Sequence, residues 1–530
     1  MATFSGLRPR SIMFAFTILS LLLVNNATCS RILLLPAMST GSHFMYLAKI
    51  GEHLAKAGHE VTILQGHHKD HSFTTDYHGL FNFEIYNTAF DASFYEQINK
   101  YNSPRSLRGE SSLNDIQIIY DHFLEDCNNL LQNDKLFIRL QNSHFDIAVV
   151  DNVTPCTTLI AGKLSLPFVI VSTNKPIPQA DANYLQIPTP VSYVPGPMSA
   201  LTDKMAFTDR LRNLISHIIS FCFFNLYVLP PYAELKQNYG IQPEISLQDL
   251  MGKAEMALFG VDWAFNFPHP VMPNTMFIGG LLGEEPSPLT AEWADFVNSS
   301  EHGIVVFSLG GNVNPGADMV KAEMITAALA RLPQRVVMRY EGQIPNNLGN
   351  NTKLAKWIPQ NDLLGHPKTK AFVTHGGLNG IYQGIFHGVP MVTIPLYGDQ
   401  HDNAANMVSK GVSVDLKIGS MTSDELYKAI KTVIDESSYK ENAIRLSRIH
   451  KDRPMSPGES VVFWIEHVIK YGGSHLRAEA FNLNFIQYSL LDVLGFLFLC
   501  LVVVVILIGK TLSLACTLCN KRVRGKRKIQ

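Results

Sequence analysis

No stretch constrains this chain more than the one from Trp357 to Asn403. Ala371-Phe372-Val373-Thr374 is a short apolar, β-leaning run, and His375-Gly376-Gly377-Leu378-Asn379-Gly380 follows it at once. A helical pattern begins at about Ile381, and Pro390-Met391-Val392-Thr393-Ile394-Pro395 supplies a second strand. A strand, a glycine-rich turn, a helix and a strand in that order make an α/β unit, whose ligands bind at the carboxyl ends of the strands. The glycines let the backbone turn tightly and approach a ligand. The first N–H groups of the new helix have no partner inside it, and such a helix start attracts phosphate. His375 and Asn379 place polar side chains at the same mouth, Trp357 offers an aromatic face for a base, and Asp399-Gln400 sits just past the second strand.

A pair of glycines alone marks only a turn; the ordered set says more. Trp357-Ile358-Pro359-Gln360, then Thr374-His375-Gly376-Gly377, then Pro395 followed four residues on by Asp399-Gln400 resembles the sugar-nucleotide signature of the UDP-glycosyltransferases, most closely the animal UDP-glucuronosyltransferases. The resemblance implies roles at matching positions. Trp357 would stack on uracil, and Gln360 and Gln383 would reach uracil or ribose. Ser308, His375, Gly377, Asn379 and the Gly380 amide would take the diphosphate, and Asp399 and Gln400 the sugar hydroxyls. Gln383 departs from the pattern, which carries an acidic residue there; an amide still hydrogen-bonds a diol but lacks the charge-assisted acceptor.

A chain of 530 residues is too long for one core, so two domains with appendages are expected. Lys+Arg 44 against Asp+Glu 45 leaves a net charge of −1, which gives no field for nucleic acid. Seven cysteines at irregular spacing argue against a disulfide framework. Cys516-x-x-Cys519 lacks the second pair that a zinc site needs.

Arg8 and Arg10 precede the apolar run Ile12 to Val24, and small residues follow. This reads as a signal peptide over residues 1–30, which puts the body in the lumen or outside the cell. Arg31 to Pro36 is the first buried strand, residues 37–42 a small-residue loop, Phe44 to Gly58 a helix and Val61 to Leu64 a second strand. His43 thus stands on the ligand-bearing rim. Phe145 to Asp151 is another strand, ending on a carboxylate, and Leu166 to Ser172 a further one. Residues 65–140 are mixed helix and loop. The resemblance makes His43 the catalytic base and Asp151 the residue that orients it. Asn152-Val153-Thr154 is a glycosylation sequon by letter, expected to stay unmodified beside Asp151; Asn298 and Asn350 begin sequons in polar loops and are better candidates.

Residues 174–200 form a long loop rich in Pro, Ser and Tyr, expected to wall the acceptor pocket. Leu211 to Leu229 is apolar and aromatic and suits either a helix on a membrane surface or a core helix. His269 lies between two prolines where glucuronate-using relatives carry an Arg thought to pair with the sugar carboxylate. It lacks the guanidinium fork, so it is the candidate for sugar selectivity. Gly303 to Leu309 opens a second block of alternating strands and helices, with Ser308 before the turn Gly310-Gly311-Asn312.

Two doubly wound α/β domains facing one cleft are expected, the arrangement called GT-B in glycosyltransferases: residues 31–280 carrying the base and 281–470 carrying UDP-sugar. A linker over 471–489, a single transmembrane helix over 490–509 and a basic tail over 510–530 follow. Lys521, Arg522, Arg524, Lys526, Arg527 and Lys528 put that tail in the cytosol. Lys526 and Lys528 match a dilysine retrieval signal, hence a type I protein of the endoplasmic-reticulum membrane. The resemblance implies inverting transfer of a sugar, glucuronate first and glucose as the alternative, from a UDP donor to small lipophilic acceptors. No Asp-x-Asp pair accompanies the turn, so no metal and no bound cofactor are expected. A membrane protein that binds nucleotide or lipophile without catalysis is the reading from another class. Acceptor identity is not legible, and homo- and hetero-oligomers are both left open.

Overall fold

A computed structural model of the chain describes residues 29–38, 41–67, 77, 79–90, 92–177, 181–311 and 313–527. The leader, apart from its last two residues, lies outside them, as do Asn312, Lys528 and the side chain of Lys526. The chain divides into two compact units, one ending at Leu476 and one starting at Arg477.

The first unit holds two sheets. The seven-stranded one comprises β1 (Arg31–Leu35), β2 (Glu60–Gly66), β3 (Asn82–Tyr86), β4 (Ile147–Asp151), β5 (Phe168–Ser172), β6 (Met256–Phe259) and β7 (Thr275–Phe277), in the order β3-β2-β1-β4-β5-β6-β7. The six-stranded one comprises β8 (Ile304–Ser308), β9 (Arg335–Arg339), β10 (Thr352–Ala355), β11 (Thr369–Thr374), β12 (Met391–Thr393) and β13 (Ser413–Asp415), in the order β10-β9-β8-β11-β12-β13. Each of these neighbouring pairs runs parallel. The central strands are unbroken apolar runs, IAVVD in β4, FVIVS in β5 and IVVFS in β8, and every residue in them is buried. That is what a parallel sheet with both faces covered demands. In each sheet the strand order reverses once, between β1 and β4 and between β8 and β11. Connections leaving the two strands diverge there and open a crevice for ligand.

Several boundaries differ from expectation. The helix after β1 spans Gly41–Lys56, so His43 lies in its first turn rather than in the preceding loop. Gly41 at φ +76° makes that early start feasible. The helix after β11 spans Leu378–Phe386, three residues earlier than its periodicity suggests, with Gly377 as its cap. Gly380 therefore is helical, and its missing side chain leaves room beside Thr374, Gln360 and Phe372. Residues 65–140 contain the helices Ala92–Arg108, Leu113–Leu131 and most of Asp134–Asn142. Packing of the Leu113–Leu131 helix beside Cys156–Lys163 brings Cys127 and Cys156 to a Cα separation of 5.7 Å, where they form a disulfide. Spacing in the sequence gives no hint of that pair. The helix Pro457–Tyr471, grouped on sequence with the second domain, buries Val461, Ile465 and Val468 in the core under β1 and β2.

The helix Phe207–Cys222 buries Asn213, His217 and Ser220 and exposes Leu211, Ile215, Ile218 and Ile219. Polar inward and apolar outward is the reverse of a core helix, which removes that alternative. Phe207–Asn238 is long and apolar enough to cross a membrane, and so is Leu491–Lys521 within the second unit's helix Leu491–Arg527.

Candidate active site

His43 and Asp151 meet at the reversal point of the first sheet. β1 and β4 are adjacent, with Leu35 opposite Val150, so the turn after β1 and the last residue of β4 share one rim. His43 Nδ1 lies 2.9 Å from Asp151 Oδ2. The carboxylate is 0% exposed and also accepts the backbone N–H groups of Ala37 and Val153. The His43 side chain is 13% exposed. Burial works against its protonated form, but Asp151 outweighs burial by charge and by hydrogen bond, and Asp399 adds to it, so the His43 pKa is raised. Asp399 belongs to the other sheet's side, so the two halves meet electrostatically at this imidazole. With Nδ1–H held by Asp151, the other nitrogen, Nε2, points to Thr173 Oγ1 at 3.3 Å. No local sequence pattern marks Thr173 as a neighbour of the base.

The second sheet repeats the design. Ser308 ends β8 directly opposite Thr374 of β11, and His375 follows. Gly310, at φ +80°, passes so close to the imidazole that a Cβ would stand 2.6 Å from His375 Cε1. A Cβ on Gly377 would press equally on His375 Nε2. Both glycines are therefore required by this ring. Burial and then Arg339 push the His375 pKa down to about 4, so the ring is neutral near pH 7, and its Nδ1 is buried without a hydrogen-bond partner. Arg339 itself donates to the carbonyls of Gly310 and Gly311, bracing the turn from β9; nothing in the sequence pattern marks it. Asn379 and Gly380 lie in the first turn of the Leu378–Phe386 helix.

Gln360 Nε2 donates to Gln383 Oε1 at 2.6 Å, so the two amides form one polar patch. Trp357 stands at the rim, 61% exposed. Gln400 is buried, and its Oε1 accepts the N–H groups of Leu396 and Tyr397, which leaves its NH2 group for other partners. Asn403 donates to Asp399 Oδ2 at 2.6 Å; burial first, then the charge of Asp402, raise the Asp399 pKa.

His269 lies apart from this cluster, in the wall of a shallow hollow that Lys175, Ile187, Thr189, Tyr193 and Val194 also line. Both its ring nitrogens are engaged, Nε2 with Asn266 Nδ2 at 3.0 Å and Nδ1 with the Pro270 carbonyl at 2.9 Å. Burial, with a further push from Lys175, lowers its pKa. Asn298 and Asn350 are exposed, whereas Asn152 Nδ2 donates to Tyr184 Oη at 3.3 Å.

Two parallel sheets, with the His43–Asp151 pair on one rim and a glycine-lined turn on the other, define a GT-B glycosyltransferase. Solved structures share that fold. The "Glycotransferase of kitacinnamycin" aligns at TM-score 0.58 and 19% identity, covering 83% of this chain and 98% of that one. "Glycosyltransferase VinC in complex with DTDP" aligns at TM-score 0.55 and 17% identity, covering 83% and 100%.

The family model described as "UDP-glucoronosyl and UDP-glucosyl transferase" matches residues 30–528, and the chain belongs to that family. It is 42% identical to UDP-glucuronosyltransferase 2A1 of Mus musculus over 89% of this chain and 91% of that one. It is 40% identical to UDP-glucuronosyltransferase 2B15 of Homo sapiens over 95% and 96%.

Proposed function

We propose that this glycosyltransferase moves a sugar, glucuronate in preference to others, from a UDP-linked donor to a hydroxyl or carboxyl group of a small lipophilic acceptor, with inversion. His43 is the base: its Nε2 takes the acceptor's proton while Asp151 holds Nδ1–H and stabilises the imidazolium. As the acceptor oxygen bonds to the anomeric carbon, the bond from that carbon to the diphosphate oxygen breaks, and its electron pair leaves on UDP. Ser308, Gly377, Asn379, the Gly380 amide and neutral His375 receive that charge at the helix start. Trp357 stacks on uracil, Gln360 and Gln383 serve uracil or ribose, and Asp399 and Gln400 take sugar hydroxyls. In this reading no metal is needed. The observation that carries it is the buried His43–Asp151 pair, 2.9 Å apart and within the influence of Asp399 across the cleft.

UDP-glucose is the alternative donor, because a buried His269 with a lowered pKa and both nitrogens engaged supplies no cation for a carboxylate. We place the acceptor in the hollow beside Tyr193, with residues 31–280 as its domain and 281–470 as the UDP-sugar domain, whose last helix, Pro457–Tyr471, packs back under β1 and β2. Residues 471–489 link to a transmembrane helix over 490–509 and a basic cytosolic tail over 510–530. The body sits on the luminal side of the endoplasmic-reticulum membrane, which the Cys127–Cys156 bridge favours, since disulfides persist in oxidising compartments. The apolar outer face of Phe207–Cys222 lies on the bilayer surface. Donor competition tests the reading: microsomes expressing the chain receive a phenol with UDP-glucuronate, UDP-glucose, UDP-galactose or UDP-N-acetylglucosamine, and product mass is read. A dominant glucuronide is expected. A dominant glucoside that His269→Arg converts to glucuronide would establish the alternative, and no product from any donor would sink both.

A further inference from the structure

The acceptor-side loop 191–200 is bolted from two directions. On one side Asn213 accepts the Gly196 N–H at 2.7 Å and donates to the carbonyls of Val191 and Val194, while Ser216 donates to the Pro197 carbonyl at 2.8 Å. On the other side a single carboxylate reaches over from the second sheet's half of the cleft. Asp402 Oδ2 accepts the Met198 N–H at 2.9 Å and Asp402 Oδ1 accepts the Ala200 N–H at 2.8 Å. Lys175 Nζ, from the wall of the hollow, stands 3.5 Å from Oδ2. Asp402 is 2% exposed.

Met198 and Ala200 are both left-handed, at φ +56° and +52°. Neither has the side chain of a residue that visits that region readily, and a non-glycine residue there costs free energy unless its surroundings hold it. Two such residues, one apart, aim their N–H groups at the two oxygens of one buried carboxylate. This is a built anion seat in the backbone, and Asp402 is the anion that fills it. Asp402 also lies in the first turn of the helix Gln400–Ser409, two residues after Gln400 and three after Asp399. The same short segment therefore carries Asp399, assigned above to the sugar, and the group gripping the acceptor loop.

We propose that Asp402 is a positioning residue that couples the acceptor wall to the sugar-binding edge, so that the loop carrying Tyr193 and Val194 is set in place only when the two halves of the cleft are engaged. This rests on the hollow beside Tyr193 being the acceptor site. Removing the charge leaves two left-handed residues with a weaker partner and frees Lys175. The loop then relaxes toward ordinary backbone angles while the Gly310–Gly311 turn, braced from β9 by Arg339, stays as it is.

The test is full-length protein in membranes with Asp402→Asn, Asp402→Ala and Asp402→Glu, read as acceptor KM, kcat at saturating acceptor, and inhibition by UDP. With Asp402→Asn the acceptor KM should rise about tenfold, from loss of hydrogen bonds to a charged group. UDP inhibition should stay within about twofold, Asp402→Ala should be worse, and Asp402→Glu should recover part of the loss. An unchanged acceptor KM, or UDP inhibition weakening in step with it, overturns the proposal, because a general loss of folding would move both. Tyr193→Ala separates the two levels of the argument. If it leaves acceptor KM alone while Asp402→Asn raises it, the hollow is not the acceptor site but the coupling by Asp402 stands.

Discussion

Asp151→Asn tests the base directly. The carboxylate is fully buried, 2.9 Å from His43 Nδ1, and is the leading influence that outweighs burial in raising the imidazole pKa. An opposite charge at such range typically moves a pKa by about 1–3 units, and nearly all of that is lost when an amide replaces it. His43 must be neutral to accept a proton, so kcat/KM falls on the acid side of its pKa, which in the native protein lies above 6.5. In the Asp151→Asn variant the folded pKa of His43 drops, because burial is then opposed only by the more distant Asp399. The acid limb should therefore move to lower pH. The plateau should fall by roughly a hundredfold to ten-thousandfold, the range spanned by loss of a general base, since the imidazole is a weaker base and its tautomer is no longer enforced. The assay is kcat/KM for a phenol whose own pKa is far above the range, between about pH 5 and 9, where imidazoles titrate, with a thermal melt of the UDP complex as the folding control. A lowered plateau with an unmoved limb would refute the claim that Asp151 tunes His43, and a limb displaced upward would reverse its sign.

Trp357→Ala should raise the KM for UDP-sugar roughly five- to hundredfold, from loss of about 1–3 kcal/mol of base stacking, and leave acceptor KM unchanged; an unchanged value at this exposed ring removes it from the uracil site. Gln383→Glu should tighten UDP about three- to tenfold, because Gln360 Nε2 can donate to a carboxylate as it does to the amide, and the ribose diol gains a charged acceptor; weaker binding would mean that the Gln360–Gln383 pairing, not the diol, decides this position. Replacing Cys127 and Cys156 by Ala should cost about 3.6 kcal/mol of stability, the loop-closure value for their separation of 29 residues; urea midpoints that do not differ with and without reductant would show that the bridge is absent in the folded protein.

The parts of the site that were legible in the sequence are those built from neighbours along the chain. Thr374 to Gly380 spells out strand, turn and helix start, and Gly376 and Gly377 announce a close approach; the backbone angles and the His375 contacts agree. The rest depends on residues that only the sheet order makes adjacent. His43 and Asp151 are 108 positions apart; the family resemblance paired them, but no local pattern does, and they meet because β4 lies beside β1 on the side away from β2. Arg339, Thr173 and Asp402 carry no local signature, because a lone Arg at a strand end or an Asp in a helix is ordinary until a partner from elsewhere arrives. The Cys127–Cys156 pair is the same kind of fact. Helix starts differ from expectation for another reason: Gly41 and Gly380 read as breakers by propensity, yet one only initiates its helix and the other lies inside the first turn of its own. Both halves therefore place their chemistry by one rule, that the connections after two diverging strands share a rim. His43 and Asp151 obey it in the first sheet, Ser308 and His375 in the second. A substitution that shifted the register of β1 against β4, or of β8 against β11, should disable the enzyme as thoroughly as loss of the residues themselves, without touching any of them.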